Sequence, residues 1–263
     1  MLVGTQMIMT SMIALAASIT LGAALAVPAR AADVCDPAKF GGAYGFELSG
    51  HTTISGDSKP VVSVGRLVFG GNNLGQGDVS GYSSVNFAGY FLGNPVTGTY
   101  EFHTDCTVAW SLQDDSGNFQ HFSGKLTPDN SSAEFHQSDP GGAQDGVMQK
   151  VADKCVAASF APRYSFGISG GTTPMNPGDE ARSVSAEGTV EPDAAGNLKI
   201  SVPNATPTSG TITIDSDCFA QITMTLPSGD TVNLRGVLVN GGKQILAMET
   251  DPGTTVTAKF NAK

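Results

Sequence analysis

Three histidines in the first half of the chain are the best candidates in this sequence for the ligands of a metal site. His103, His121 and His136 fall on three different predicted strands, and neutral imidazole is a common ligand of zinc. Each histidine adjoins a phenylalanine within an alternating segment, which places the imidazole on the face opposite the core. The sequence therefore predicts exposed histidines, with a metal site only where all three converge on one outer sheet face. We expect no cofactor.

The residue patterns of common hydrolases and redox enzymes are not present in a usable context. No Gly-x-Ser-x-Gly segment lies between a predicted strand and a predicted helix, and no cysteine belongs to a Cys-x-x-Cys motif. Paired acids such as Asp114-Asp115 stand in turn sequences, where aspartate usually bonds to its own backbone. We therefore assign no catalytic residue.

The elements that would position these side chains occur twice. Segments 98–106 and 210–218 both begin with Gly-Thr and end with Asp-Cys. An Asp-Pro-Gly follows each Cys at the same distance, since 139 − 106 = 33 and 251 − 218 = 33. Upstream, the pattern Tyr-x-Phe-x-Leu/Ile-Ser-Gly occupies residues 44–50 and 164–170. The chain therefore contains two diverged copies of one module.

The four cysteines follow the duplication. Cys35 and Cys155 lie at the entrance of each copy, nine residues before its first tyrosine, while Cys106 and Cys218 are the matched Asp-Cys positions. Four cysteines allow three pairings, and the repeat selects Cys35–Cys106 with Cys155–Cys218. We expect both disulfides to be structural.

Alternation of apolar and polar residues dominates both copies and predicts an all-β protein. Turn signals such as Gly93-Asn94-Pro95 and Asp139-Pro140-Gly141 recur along the chain. The first copy divides into about eight strands, near 43–50, 61–69, 77–88, 97–104, 107–113, 118–126, 133–138 and 146–151. Eight antiparallel strands can close a barrel. We therefore predict two tandem antiparallel β-barrels, with β-sandwiches as the alternative.

The amino-terminal segment resembles an export signal. Residues 7–27 are almost all apolar or small, and Ala29-Arg30-Ala31 offers an A-x-A cleavage pattern. We predict a signal peptide over 1–31, one module over 32–154 and a second over 155–263, with a retained membrane anchor as the alternative to cleavage. The expected location is periplasmic or extracellular, with no stable membrane span after cleavage. A net charge of −10 without basic runs disfavours nucleic acid as a partner.

The repeated pattern Y-x-F-x-[LI]-S-G followed by G-T-[YI]-x-[FI]-x-x-D-C resembles the module of a largely uncharacterised family of small exported bacterial β-module proteins. Gly42-Ala43-Tyr44 is more loosely similar to the first strand of lipocalin-like and allene-oxide-cyclase-like barrels. The resemblance implies a β-barrel outside the cytoplasm, whose mouth offers room for an apolar ligand. It transfers no functional residue.

The sequence thus favours a non-catalytic binding or structural role in an exported protein. Tyr100, Phe102 and Trp110 are the candidate ligand-binding residues of the first interior, with plain core packing as the alternative. An isomerase or hydrolase in a barrel mouth and a bivalent surface adhesin or scaffold are the rival functions. The partner is unknown, and small molecules and surface polymers are the classes left open.

Overall fold

The computed structural model describes residues 34–54, 56–71, 74–152, 154–176 and 178–263. The predicted signal peptide lies outside the described residues. Within them, no helix combines the length and the apolar character needed to cross a membrane.

The first module is a closed antiparallel barrel of eight strands. Each strand pairs with the next, and β8 returns to pair with β1. The strands are β1 (Gly42–Ile54), β2 (Asp57–Phe69), β3 (Gln76–Phe87), β4 (Tyr90–Phe102), β5 (Thr107–Asp114), β6 (Phe119–Leu126), β7 (Ser132–Gln137) and β8 (Gly142–Lys150). The predicted barrel is confirmed, and the sandwich alternative is wrong because closure leaves no free sheet edge.

The second module repeats the same closed order, with β16 pairing with β9. Its strands are β9 (Tyr164–Thr172), β10 (Ser183–Pro192), β11 (Asn197–Ser201), β12 (Thr208–Ile214), β13 (Phe219–Thr225), β14 (Thr231–Val239), β15 (Gln244–Glu249) and β16 (Thr254–Ala262). Short 3-10 helices lie before each barrel at Pro37–Lys39 and Ala157–Ser159, and a third follows β14 at Asn240–Gly242.

One predicted turn is wrong. The segment Gly93-Asn94-Pro95 lies inside β4, paired with β3, and the chain reverses earlier, at Ala88 and Gly89. Both of these residues have positive φ, 50° and 88°, as a two-residue type I′ hairpin requires. Pro95 is tolerated in the strand because β5 pairs with β4 only from Val96 onward, so its missing N–H faces no partner strand.

The disulfides join Cys35 to Cys106 and Cys155 to Cys218, with Cα–Cα distances of 5.1 and 5.0 Å. This is the pairing that the repeat selects. Cys106 and Cys218 share a φ of 70° in the turn that follows the fourth strand of each barrel. Each bridge ties the segment before a barrel to that turn, at what we call the closed end of the barrel.

The two barrels pack side by side through outer strand faces. Val62 and Val64 of β2 and Val237 and Val239 of β14 are all buried in one core cluster. Close approach requires a small residue on β1, since a Cβ at Gly45 would lie 2.6 Å from a Val239 methyl carbon. This contact leaves both barrel interiors available for separate roles.

Candidate functional site

A cavity of about 500 Å³ occupies the end of the first barrel opposite the disulfide. Four hairpins surround it, β1–β2, β3–β4, β5–β6 and β7–β8, and we call this end the mouth. The lining reaches Leu92 and Phe119, which are exposed, so the cavity communicates with solvent. Its volume lies within the range of small-molecule sites.

The floor of the cavity is an aromatic cluster centred on Trp110. The Trp110 ring stacks on Phe122 at 5.4 Å between centroids and meets Phe135 edge-on at 5.0 Å. Phe135 in turn contacts Phe46 edge-on at 6.4 Å. Alternation along β1, β5, β6 and β7 brings all four rings inside, because successive strand residues point to opposite faces.

Only one of the three candidate ligand-binding residues lines this cavity. Trp110 does so, whereas Tyr100 and Phe102 lie toward the closed end and are not part of the lining. Phe40, which precedes β1, fills the space beside them: its ring stacks on Phe102 at 4.7 Å and meets Tyr100 edge-on at 5.1 Å. The Tyr100 hydroxyl donates to the carbonyl oxygen of Gly70 at 2.6 Å. These two side chains therefore form the packed base beneath the site.

The repeated sequence contains a pattern that could have indicated the packing role of Phe40. Phe40 stands four residues before Tyr44, and Phe160 stands four residues before Tyr164. The matched spacing marks a shared structural element just before the first strand of each barrel, at its closed end.

A chain of polar side chains runs from the cavity to the surface. Gln144 Nε2 donates to Gln137 Oε1 at 2.5 Å, and Gln137 Nε2 donates to Asp139 Oδ2 at 3.1 Å. Asp139 Oδ1 lies 2.7 Å from His121 Nδ1 outside the barrel. Burial favours a higher pKa for the Asp139 carboxyl, but hydrogen bonds from His121 and Gln137 outweigh it and hold that pKa below its usual range. The Asp139 carboxylate is therefore charged at neutral pH.

Two polar atoms in the lining have no hydrogen-bond partner among the described residues. They are Trp110 Nε1 and Gln144 Oε1, and their side chains belong to residues only 4% and 2% exposed. By contrast, the hydroxyls of Ser63 and Ser83 pair with each other at 2.8 Å. A buried polar group without a partner costs on the order of 1–3 kcal/mol. Both atoms are shielded by neighbouring groups, so a ligand reaches either one only after a shift of the lining side chains.

The three histidines stand on the outer surface of the first barrel. His103 lies 3.8 Å from Glu101, His121 pairs with Asp139, and His136 is exposed on β7 opposite Ser123. The predicted outward orientation is confirmed. The structure does not gather them, and in the part of the chain that it describes no group of three or more His, Cys, Asp or Glu side chains is placed to hold a metal.

Apolar side chains remain exposed around the mouth. Tyr90 and Leu92 begin β4 and Phe119 begins β6, with exposures of 60%, 51% and 60%. Phe91, between the first two, is 39% exposed. An exposed apolar rim next to a cavity is typical of a ligand entrance.

The second barrel has a different interior. Its core includes Ile200, Ile222, Met224 and Phe260, all less than 2% exposed and assigned to one packed cluster. The repeat offset of 112 residues, from Cys106 to Cys218, places Val256 where the first barrel has Gln144. Divergence between the copies has therefore changed the residues that form the polar part of the first cavity.

Sequence reasoning missed the polar members of the site. Gln137 and Gln144 carry no distinguishing motif, and their inward direction follows from strand register, with Gln137 ending β7 and Gln144 near the start of β8. Asp139 belongs to the repeated Asp-Pro-Gly motif, but that motif does not predict its contact with His121.

No protein-family model matches this chain, and no curated protein matches it. Among solved structures, a double mutant of transferrin binding protein B from Haemophilus parasuis Hp5 has 9% identity and a TM-score of 0.30, covering 85% of this chain and 76% of that chain. The isotype 1 protein of the same name from serogroup B Neisseria meningitidis has 5% identity and a TM-score of 0.31, covering 84% and 75%. Similarity at this level carries no functional argument.

Proposed function

We propose that this chain is an exported, non-catalytic binding protein whose first barrel holds a small, mostly apolar molecule. The observation that carries the proposal is the cavity of about 500 Å³ with an aromatic floor and two unpartnered buried polar atoms. Apolar surface supplies most of the affinity of such a site, while a few polar groups orient the ligand. Two disulfides support an oxidising, extracytoplasmic location.

In this proposal the second barrel acts as a packed support for the first. Arg235 of the second barrel stacks on Tyr82 of the first at 5.3 Å, and Lys259 forms an ion pair with Glu47 at 3.2 Å. These contacts hold β1 and β3 from outside, and Val62 and Val64 of β2 lie in the core cluster shared with the second barrel. The same three strands supply Phe46, Ser63 and Ser83 to the cavity. External bracing of this kind keeps a hollow barrel from collapsing around its cavity.

The exposed surfaces of the two barrels support a bivalent adhesin less well than a protein with one binding site. Two equivalent binding faces would require matching exposed patches on both barrels. Among the described residues, the large apolar side chains exposed at a barrel mouth belong to the first barrel, namely Tyr90, Phe91, Leu92 and Phe119. This asymmetry favours one binding site per chain.

Native mass spectrometry of the protein purified from an exporting host tests the proposal. The variant Val85→Phe places a larger side chain on the cavity lining, and Thr97→Phe places the same ring on the exposed outer face of β4. We expect a stoichiometric small-molecule adduct on the wild type and on Thr97→Phe, and its loss from Val85→Phe. An adduct that persists unchanged in a folded Val85→Phe protein would contradict binding in this cavity.

A further inference from the structure

The charge lining the cavity is of one sign. Asp114 and Asp139 are the ionisable side chains among its described lining residues, and no Lys or Arg belongs to that lining. The remaining polar members are neutral amides and hydroxyls. A ligand in this cavity therefore meets carboxylates at the mouth and no cationic side chain among the lining residues that the structure describes.

The Asp114 carboxylate is fixed in its charged form by the turn that contains it. Its Oδ1 accepts backbone N–H groups from Ser116 and Asn118, both at 3.0 Å, and the Ser116 hydroxyl at 2.6 Å. Burial acts to raise the pKa of Asp114, but these hydrogen bonds together lower it below its ordinary value. The negative charge is thus a built feature of the β5–β6 hairpin at the mouth.

Two basic side chains near the mouth each contact a carboxylate. Lys59 lies opposite Thr52, a lining residue of β1, but its Nζ is 3.4 Å from Asp57 Oδ2. His121, outside the barrel, is in contact with Asp139. Neither group supplies an unpaired positive charge to a ligand at the mouth.

Desolvation penalises an anionic head group more than a neutral one. The described lining supplies apolar rings, neutral amides and hydroxyls besides its two carboxylates, and no Lys or Arg. A carboxylate entering the cavity loses hydration without gaining a cationic partner, whereas a hydroxyl or an amide carries a smaller desolvation cost.

Building on the proposed function, we propose that the first barrel selects amphiphiles with an uncharged or cationic head group and excludes anionic ones. The selection comes from like-charge repulsion at Asp114 and Asp139 together with the lack of a cationic partner in the lining. Repulsion of this type gives specificity by penalising the wrong ligand.

Three ten-carbon probes that differ only in head group test this selection: 1-decanol, decylamine and decanoate. Each competes at pH 8 and low salt with the neutral fluorophore N-phenyl-1-naphthylamine on the full mature chain. We expect decanoate to bind at least about tenfold more weakly than decanol, with decylamine equal to decanol or tighter. Added salt should narrow the difference, since it screens exposed charges.

A matched pair of variants assigns the effect to the cavity. Asp114→Asn keeps a side-chain oxygen for the turn and removes the charge. Asp193→Asn makes the same change in an Asp-x-x-Gly-Asn turn of like sequence between β10 and β11 of the second barrel, where Asp193 accepts from the Asn197 backbone N–H at 2.8 Å. We expect Asp114→Asn to improve decanoate binding relative to decanol by about threefold or more, and Asp193→Asn to leave the ratio unchanged.

The outcomes separate this inference from the proposed function. Decanoate binding as tightly as decanol would overturn anion exclusion while leaving a binding barrel. An unchanged ratio in Asp114→Asn would also overturn it, because the charge at the mouth would then have no role. Failure of all three probes and of the fluorophore to bind would refute the binding proposal itself.

Discussion

Glu249 is a buried carboxyl inside the second barrel, and its replacement by glutamine should make the protein more stable at pH 8. Glu249 is 7% exposed and lies on β15, opposite the buried Leu234 of β14. Burial, and then the negative charge of Asp251, raises the pKa of Glu249 to about 7 from an ordinary 4.5. In the first barrel the same position holds Gln137, since 249 − 112 = 137. Glu249→Gln therefore introduces the residue that the sister barrel already has.

The magnitude follows from the pKa difference between the folded and unfolded states. A rise from 4.5 to about 7 corresponds to at most about 3 kcal/mol at 1.36 kcal/mol per pKa unit. Because solvent screens part of this interaction, we discount the expected effect to about 2 kcal/mol. Because the folded-state pKa is the higher one, Glu249 destabilises the fold as its carboxyl ionises. The cost is absent below pH 4.5, grows between pH 4.5 and about 7, and is complete above that range.

Urea and thermal unfolding across this pH range measure the effect. We expect Glu249→Gln to raise the free energy of unfolding by about 2 kcal/mol at pH 8, a Tm increase of about 4–8 °C, and to change it little at pH 4.5. Glu134→Gln, at an exposed glutamate of β7, is the control and should have almost no effect at either pH. A gain that is equal at both pH values, or a loss at pH 8, would refute the reasoning.

Three further perturbations test the barrel contact and the disulfide. Gly45→Ala should lower the free energy of unfolding by about 1–3 kcal/mol, because the added Cβ would lie 2.6 Å from a methyl carbon of Val239 in the second barrel. The control Gly167→Ala places its Cβ in open space and should leave the free energy of unfolding almost unchanged in the same assay. Lys259→Met removes the ion-pair partner of the buried Glu47 and should lower the free energy of unfolding by about 2 kcal/mol at pH 8. This is less than for a fully buried pair because the lysine is half exposed. Burial raises the pKa of Glu47 to about 7 despite the lysine charge, so a loss of stability that persists at pH 5, where Glu47 is protonated, would contradict this prediction. Replacing both cysteines of Cys35–Cys106 by serine opens a 71-residue separation and should cost about 4 kcal/mol of unfolding free energy, and an unchanged urea midpoint would argue against the bridge.

Much of the architecture was predictable because local pattern and duplication agree. Alternation around Phe102, Trp110 and Phe122 gives inward aromatics, and the common Asp-Cys positions select the disulfide pairing. The boundaries of the strands were harder to predict from the sequence. Gly93-Asn94-Pro95 has the composition of a turn, but the reversal occurs at Ala88-Gly89, where a two-residue loop matches the twist of the flanking strands.

The site was harder to predict than the fold, because it depends on which interior positions remain unfilled. Trp110 and Phe102 have the same strand context in the sequence, but only Phe102 is covered by Phe40. Inward-facing Gln137 and Gln144 belong to different strands and become a hydrogen-bonded pair only once the register is set. Such features depend on tertiary packing, which the alternation of apolar and polar residues along a single strand does not predict.

The most direct test of the central claim is a fluorescence titration of the protein with N-phenyl-1-naphthylamine. Trp110 is the one tryptophan in the 263-residue sequence and lines the cavity, so excitation beyond tyrosine absorption reports on this site. We predict saturable one-to-one binding with quenching of Trp110 and energy transfer to the probe, strongly reduced in Val85→Phe and retained in Thr97→Phe. Absence of saturable quenching, or identical binding by Val85→Phe, would contradict a ligand-binding first barrel.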